Sequence, residues 1–256
     1  MRYADHMGLL RYGEAWFGEP VGEADDLDIL LHVQCDEPVD HTRSEPFQTL
    51  MIDLERTPDE LLASFDKTTR YEVRRALGRD EVKTSWESEV TRKSLQRFVT
   101  DYDAFARSRG LDPVATKRLE AIRAAGALVL SRAELDDAVK VWHAYIHVGG
   151  RIRLLLSSTA DRSVTKDQKA LIGRSNRALH YADALAAQKA GVRWLDLGGW
   201  SGQKEGHRRS IDAFKEGFGG RVVAGWNATE ARSVRGRLAL GAADARSWLL
   251  RVRGSR

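Results

Sequence analysis

The chain has one cysteine, Cys35, in 256 residues. A lone thiol excludes an intramolecular disulfide, and no Cys/His cluster has the spacing of a zinc site. The expected setting is therefore reducing and cytoplasmic. No apolar run approaches the roughly 18 to 20 residues that span a bilayer, so a membrane-linked substrate would be met at the inner membrane surface. The first ten residues mix Arg2, Asp5 and His6 with few apolar side chains and do not read as a secretory leader. Internal repeats and low-complexity linkers are absent. No Ser-His-Asp or Cys-His arrangement has a local motif behind it.

What is present suits a globular chain. The hydrophobic fraction is 42% and the charged fraction 30%, enough for one large core or two fused small ones. Seven tryptophans serve packing or line a cleft. The net charge of +4 favours anionic partners such as phosphates, CoA or RNA without requiring them.

The pattern along the chain predicts strands over 27–33 and 47–54, with an Asp36–Asp40 loop between them. Thr57-Pro58 with Glu60 makes a capping box. The next helix starts near Asp66 and ends at Gly78, burying Thr69, Val73, Ala76 and Leu77 and presenting Lys67, Arg70 and Arg74 as one basic face. Helices follow over 91–107 and 113–124. The period then changes. Strands 127–131, 139–148 and 151–157 read as a meander turned by Asp136-Asp137 and Gly149-Gly150. A long helix over 169–190 carries an apolar stripe of Leu171, Ala178, Leu179, Ala182, Leu185 and Ala186. Strand 193–197, helix 207–217 and strand 221–226 come next. Residues 231–256 read as a basic helix with seven arginines against Asp244.

Two glycine-bearing runs stand out: Trp194-Leu-Asp-Leu-Gly-Gly-Trp200 and Phe214-Lys-Glu-Gly-Phe-Gly-Gly220. The first ends a strand in a double glycine, which lets backbone turn sharply or approach a ligand. The second sets Lys215 in a crowded corner, where a positive charge can face an oxyanion or a phosphate. Spacing alone equally allows a helix C-cap and a surface lysine.

An antiparallel meander, a long helix, a strand and a short helix form the order of a GNAT-type acyltransferase core. Acetyl-CoA members carry a Gln/Arg-x-x-Gly-x-Gly/Ala pattern before the long helix, whose amides hold pyrophosphate; Ser157–Gln168 lacks it. The pair Leu195-Asp-Leu-Gly-Gly199 and Phe214-Lys-Glu-Gly-Phe-Gly-Gly220 resembles the signature of the Fem-type (FemABX) peptidyltransferases. Thr68–Ala76 resembles their arginine helix, and Ile172–His180 the start of their long helix. The resemblance covers roughly residues 60–226 and implies two fused GNAT-like halves. It also implies transfer of an acyl group to an amine, with aminoacyl-tRNA as donor and a peptidoglycan precursor as acceptor in well-known members. This chain is shorter and lacks the charged helical hairpin that several members use with tRNA.

The expected fold class is thus α/β: a GNAT-like mixed, largely antiparallel sheet flanked by helices, with a reduced N-terminal GNAT-like half over 1–125, an acyltransferase half over 126–230 and the basic helix over 231–256. The resemblance implies that Lys215 offsets oxyanion charge. Asp196 either orients or deprotonates the amine or accepts backbone N–H bonds in the Gly198–Gly199 turn. His180 is a candidate base, as is His207, against a structural reading of each. Arg70, Arg74, Arg174, Arg177 and Tyr181 are candidate substrate ligands, together with Gly198, Gly199, Trp200 and Phe214; solvated helix faces are the alternative for the arginines. No metal or tightly bound cofactor is expected. The donor co-substrate is aminoacyl-tRNA or acyl-CoA. The acceptor is an amine-bearing small molecule, a peptide or sugar-like group, or a lipid-linked envelope precursor. The tail can meet an anionic membrane, brace RNA or dock on its own core. Two rival functions stand beside aminoacyl or short-acyl transfer: an acyl-CoA-dependent N-acetyltransferase, and a non-catalytic module binding RNA or anionic lipid.

Overall fold

The computed structural model describes residues 2–7, 9–19, 26–40, 42–160 and 165–242. The chain runs β1 (Arg2–Met7), β2 (Leu10–Trp16), β3 (Ile29–Cys35), β4 (Arg43–Asp53), α1 (Pro58–Ser64), α2 (Lys67–Gly78), β5 (Lys83–Glu87), α3 (Arg92–Arg109), α4 (Thr116–Ala124), β6 (Leu128–Leu135), β7 (Ala138–Val148), β8 (Arg151–Thr159), α5 (Lys166–Lys189), β9 (Trp194–Gly199), α6 (Gly206–Glu216), β10 (Arg221–Ala231) and α7 (Val234–Ala242). The class is mixed α/β, as expected. The order from β6 to β10 is the meander, long helix, strand, short helix and strand expected of a GNAT-type core.

Two compact units are present, one of residues 1–48, 112–127 and 224–256, the other of 49–111 and 128–223. In the first, β2 pairs antiparallel with β1 and parallel with β3, and β3 pairs antiparallel with β10. β1 and β2 have no clear sequence signal because β2 interrupts its pattern with Gly13 and a buried carboxylate, Glu14. Burial of Glu14 is compensated by two bonds from Arg118, at 2.8 and 3.0 Å, and one from the Trp16 indole at 2.9 Å.

The second unit holds every residue singled out above as a candidate for chemistry. Its sheet runs β5-β6-β7-β8-β9 and ends on the second half of β4. All pairings are antiparallel except β8 with β9, which the α5 crossover makes parallel. The β6–β7 turn places Asp136 and Asp137 at φ 51° and 57°, the two-residue geometry that short polar side chains tolerate. β5 has no counterpart among the expected strands; Lys83–Glu87 is short, polar and largely unburied, and only pairing with β6 makes it a strand.

Caps set the helix starts. Thr57 and Glu60 form the expected box on α1, Asp66 accepts from Thr69 N at 2.6 Å to start α2, and Thr165 with Gln168 boxes α5. Successive residues of β7 point to opposite faces. Trp142 meets α3, donating to Asp101 at 2.8 Å and packing edge-on to Phe98, while His143 meets α5. The core beneath α1, α2 and α5 gathers Leu50, Leu61, Phe65, Tyr145, Ile152 and Phe218.

Two expectations about helix faces need correction. Leu77, expected in the core, is 39% exposed, because α2 turns Thr69, Val73 and Ala76 inward instead. α5 is not a one-stripe helix: Leu171, Ala182, Leu185 and Ala186 are only half-buried, while His180 and Asp183 are buried among Ala178, Leu179 and Ala184. The polar strip faces the sheet because β7 offers it polar partners. The basic helix read over 231–256 is described only as α7; residues 243–256, with Trp248, Leu249, Leu250 and Val252, lie outside the described residues.

The glycines of the second signature run mark tight packing. Asp66 N donates to Gly217 O at 2.9 Å, joining the end of α6 to the start of α2. A Cβ on Gly219 would stand 2.2 Å from Ser64 O, and its φ is +70°. Gly219→Ala is therefore expected to lower the unfolding free energy by about 3 kcal/mol, as a strained backbone and a clash with main chain combine. Urea denaturation measures it.

Candidate active site

β8 and β9 pair only over Arg151–Arg153 and Trp194–Asp196, then continue without pairing to each other. Gly198, at φ +83°, turns the end of β9 where the two strands part; a Cβ there would sit 3.5 Å from Leu154 O. Lys215, on the last turn of α6, reaches this point. Its ammonium donates to Gly199 O and lies 3.9 Å from the position of a Gly198 Cβ. An ammonium has three N–H donors, so one bond to Gly199 leaves two for a ligand.

The electrostatics of Lys215 are unusual. Its pKa falls from 10.5 to about 8, chiefly because burial disfavours the charged form and next because Arg153 places a like charge nearby; Asp196 and Asp212 partly offset this. Arg153 also brings its guanidinium within 3.9 Å of the Gly198 Cβ position. Arg151 and Arg153 are not among the candidates drawn from sequence. A signal for them exists all the same: two arginines at i and i+2 in an otherwise apolar strand share one face.

Asp196 is fully buried and its carboxylate is occupied. It accepts from Thr49 Oγ1, from Gly198 N at 2.7 Å and from the Arg151 guanidinium. Of the two roles open in the sequence, this geometry is that of a carboxylate holding the Gly198–Gly199 turn. Asp212, also buried and not singled out by sequence, does the same for the next loop, accepting from Ser201 N, Ser201 Oγ and Gly202 N at 2.6–3.1 Å.

The remaining candidates divide. Phe214 packs on Phe218 and, at 5.7 Å between centroids, on His180. Arg177 stacks its guanidinium 4.9 Å over Phe214 and pairs with Glu72 at 2.9 Å. Trp200 donates to Glu216 at 3.2 Å. His180, Arg177, Phe214, Lys215, Gly198, Gly199 and Trp200 thus surround one corner. Arg174 is drawn away into a partly buried pair with Asp80 at 2.6 Å. Arg70 caps the end of α1, donating to Ala63 O at 2.8 Å and Phe65 O at 2.6 Å. Both guanidiniums are thereby held by protein acceptors, a pairing that neither helical spacing nor charge discloses. Tyr181 rests edge-on against Phe65 and reaches Pro58 O at 3.4 Å. Arg74 and His207 are exposed. No cluster of three metal-binding side chains occurs among the described residues, and no described helix is long and apolar enough to cross a membrane. A cavity of about 510 Å³ lies between α3 and the ends of β7 and β8, lined by Arg97, Asp101, Phe105, Lys140 and Trp142; none of the candidates lines it.

No protein-family model matches the sequence, and no curated protein matches it. Solved structures do match in fold. FemX superposes with a TM-score of 0.60 at 14% identity, covering 79% of this chain and 72% of FemX. The C-terminal domain of a putative lysylphosphatidylglycerol synthetase from Agrobacterium fabrum gives 0.57 at 13% identity, over 93% of this chain and 82% of that one. L-PGS from Bacillus licheniformis gives 0.54 at 12% identity, over 99% and 85%. The fold resemblance to a Fem-type protein read from the two glycine runs is thereby found in three dimensions.

Removing the charge of Asp196 tests its role. Asp196→Asn replaces a fully buried carboxylate that takes three donors with a neutral amide that cannot accept all three, a loss expected to cost about 3 kcal/mol of stability. Chemical denaturation of the variant measures the loss.

Proposed function

We propose that this protein is an acyltransferase that moves an aminoacyl or short acyl group onto an amine by direct transfer, without a covalent enzyme intermediate. The observation that carries the reading is the half-buried ammonium of Lys215, held on Gly199 O where β8 and β9 separate. The fold shared with FemX and with the lysylphosphatidylglycerol synthetase domain supports it.

The chemistry follows from the geometry. An acyl group entering between the diverging strands brings its carbonyl toward Gly198. The amine attacks, the new C–N bond forms, and negative charge develops on the carbonyl oxygen. Lys215 has two N–H donors to direct at that oxygen, and a half-buried cation there is screened less than one in bulk water. The C–O or C–S bond of the donor then breaks. Asp196 and Asp212 position the two loops that frame the site, and Phe214 with Arg177 holds α6 in register. Both donors expected from sequence, aminoacyl-tRNA and acyl-CoA, fit this outline. The acceptor class that the reading favours is an amine on a cell-envelope, peptide or sugar-like compound, met in the cytoplasm or at the inner face of the membrane.

Thermal stabilisation discriminates the donors. Charged tRNA and a panel of acyl-CoAs, each added separately, should divide into one class that raises the melting temperature and one that does not. A ligand near 100 times its Kd adds about 2.7 kcal/mol. Stabilisation by neither overturns the reading.

Lys215 supplies two kinetic expectations. Lys215→Met should lower kcat by about 100-fold or more. Its stability should hold or rise. The charged lysine is disfavoured in the fold, so it destabilises the protein at neutral pH, and that cost fades only as pH climbs from about 8 to 10.5. For the same reason kcat/KM of the native enzyme should fall as pH rises through about 8, where the free enzyme loses the ammonium. A flat profile from pH 7 to 10 would remove Lys215 from oxyanion stabilisation.

A further inference from the structure

Three apolar side chains are set apart on the surface. Leu9 is 93% exposed, Leu238 70% and Val234 62%, the highest values of any large apolar side chain among the described residues. One such residue alone needs no explanation. These three belong to the first compact unit and share one anchor.

That anchor is Asp28. Its Oδ2 accepts from Arg11 N at 2.9 Å and its own N donates to Arg11 O at 2.7 Å, which fixes the start of β2. Its Oδ1 accepts from Ser233 Oγ at 2.5 Å and its carbonyl accepts from Arg232 N at 2.9 Å, which fixes the entry to α7. Ser233 Oγ in turn accepts from Gly236 N at 3.0 Å. Gly236 lies so close to Asp28 that a Cβ would stand 2.0 Å from its carbonyl oxygen. Leu9, in the turn between β1 and β2, is two residues from Arg11 and so within about 7 Å of it.

α7 is apolar on two opposite faces. At about 100° per residue, Gly236, Ala239 and Leu240 share the face toward Asp28, and Val234, Leu238 and Gly241 share the other. The first three are buried or half-buried, and the last three are exposed. Arg235 and Arg237 fall between the faces, one on each side, and both are exposed. Packing on the body of the protein accounts for one apolar face and leaves the outward one bare to water. The described acids at this end already have partners. Asp26 pairs with Arg11, Glu230 pairs with His32 and Arg232, and Asp28 is held as above.

We propose that Leu9, Val234 and Leu238, flanked by Arg235 and Arg237, form a contact surface for an anionic lipid membrane. α7 lies along the interface. Its outward ridge enters the boundary between headgroups and acyl chains, and the two guanidiniums reach lipid phosphates on either side. A second protein chain suits the surface less. Three side chains on a helix ridge and a turn fall far short of the roughly 800 Å² that each side of a stable protein interface buries, whereas a bilayer takes up side chains one at a time. The proposal is independent of the acyl-transfer reading, since none of these residues belongs to the second unit.

Co-sedimentation of the full chain with vesicles tests it, using phosphatidylcholine alone and an equal mixture of phosphatidylcholine and phosphatidylglycerol. The mixed vesicles should bind the protein more tightly, and added salt should weaken that binding. Leu9→Gln/Leu238→Gln and Arg235→Gln/Arg237→Gln should each lower the partition coefficient by about tenfold or more. All four sites are exposed, so thermal unfolding should stay unchanged, which separates loss of contact from loss of fold. Equal affinity for the two vesicle types overturns the proposal, as does binding to neither. Undiminished binding by either variant also overturns it and places the contact elsewhere in the chain. Self-association of the lipid-free chain that Leu238→Gln abolishes in sedimentation velocity assigns the ridge to a second copy, and likewise overturns it. Failure of every acyl donor leaves these outcomes unchanged.

Discussion

One buried carboxylate organises the site. Asp196 sits at full burial on β9 and takes hydrogen bonds from β4 through Thr49, from β8 through Arg151 and from its own turn through Gly198 N. A charge so placed is tolerated only when donors surround it. Three donors from three pieces of chain fix where β9 ends, and with it the direction of Gly199 O. That carbonyl is the anchor of Lys215. The cation's position follows from the anion's coordination, and the oxyanion site proposed here follows from the cation's position.

The same logic of compensated burial runs through the unit. Asp212 holds the 201–202 loop, Asp80 holds Arg174, and Asp183 holds His143 and Tyr145. Each of these carboxylates ties a loop or a strand to a helix. Around them the glycines of the second run provide close approach: Gly217 lies against Asp66 and Thr69, and Gly219 against the main chain of Ser64. α6 is therefore locked at its C-terminal end to the α1–α2 corner, and Lys215 occupies its last turn. A cation on a rigid helix end keeps its aim when substrate binds, which is what electrostatic preorganisation requires.

The arginines divide by the partners they meet. Arg70 and Arg174 have taken up structural acceptors, whereas Arg153 and Arg177 act on the corner where Lys215 lies, one through its charge and the other through its stack on Phe214.

Much of this is legible in the order of residues alone. Local chemistry writes the helix starts, because Thr57, Asp66 and Thr165 bond amides only three residues away. The meander is equally plain, since Asp136-Asp137 and Gly149-Gly150 are turn residues between alternating runs. The nearness of Lys215 to the double glycine is suggested by two short motifs. Other features are closed to a linear reading because their causes lie far apart in the chain. β2 is a strand that buries Glu14 only because Arg118 arrives from α4. The acceptors of Arg70 and Arg174, Phe65 O and Asp80, are equally out of reach of a linear reading. The partners of Asp183 on α5 are known only once β7 places His143 and Tyr145 opposite it. The sequence by itself determined the helix starts with their caps, the meander and the corner that carries the lysine, since those depend on neighbours within a turn or two. Only the tertiary structure decided which charges are neutralised and which remain to act, because a pair's energy depends on distance and burial, and neither is a property of spacing along the chain.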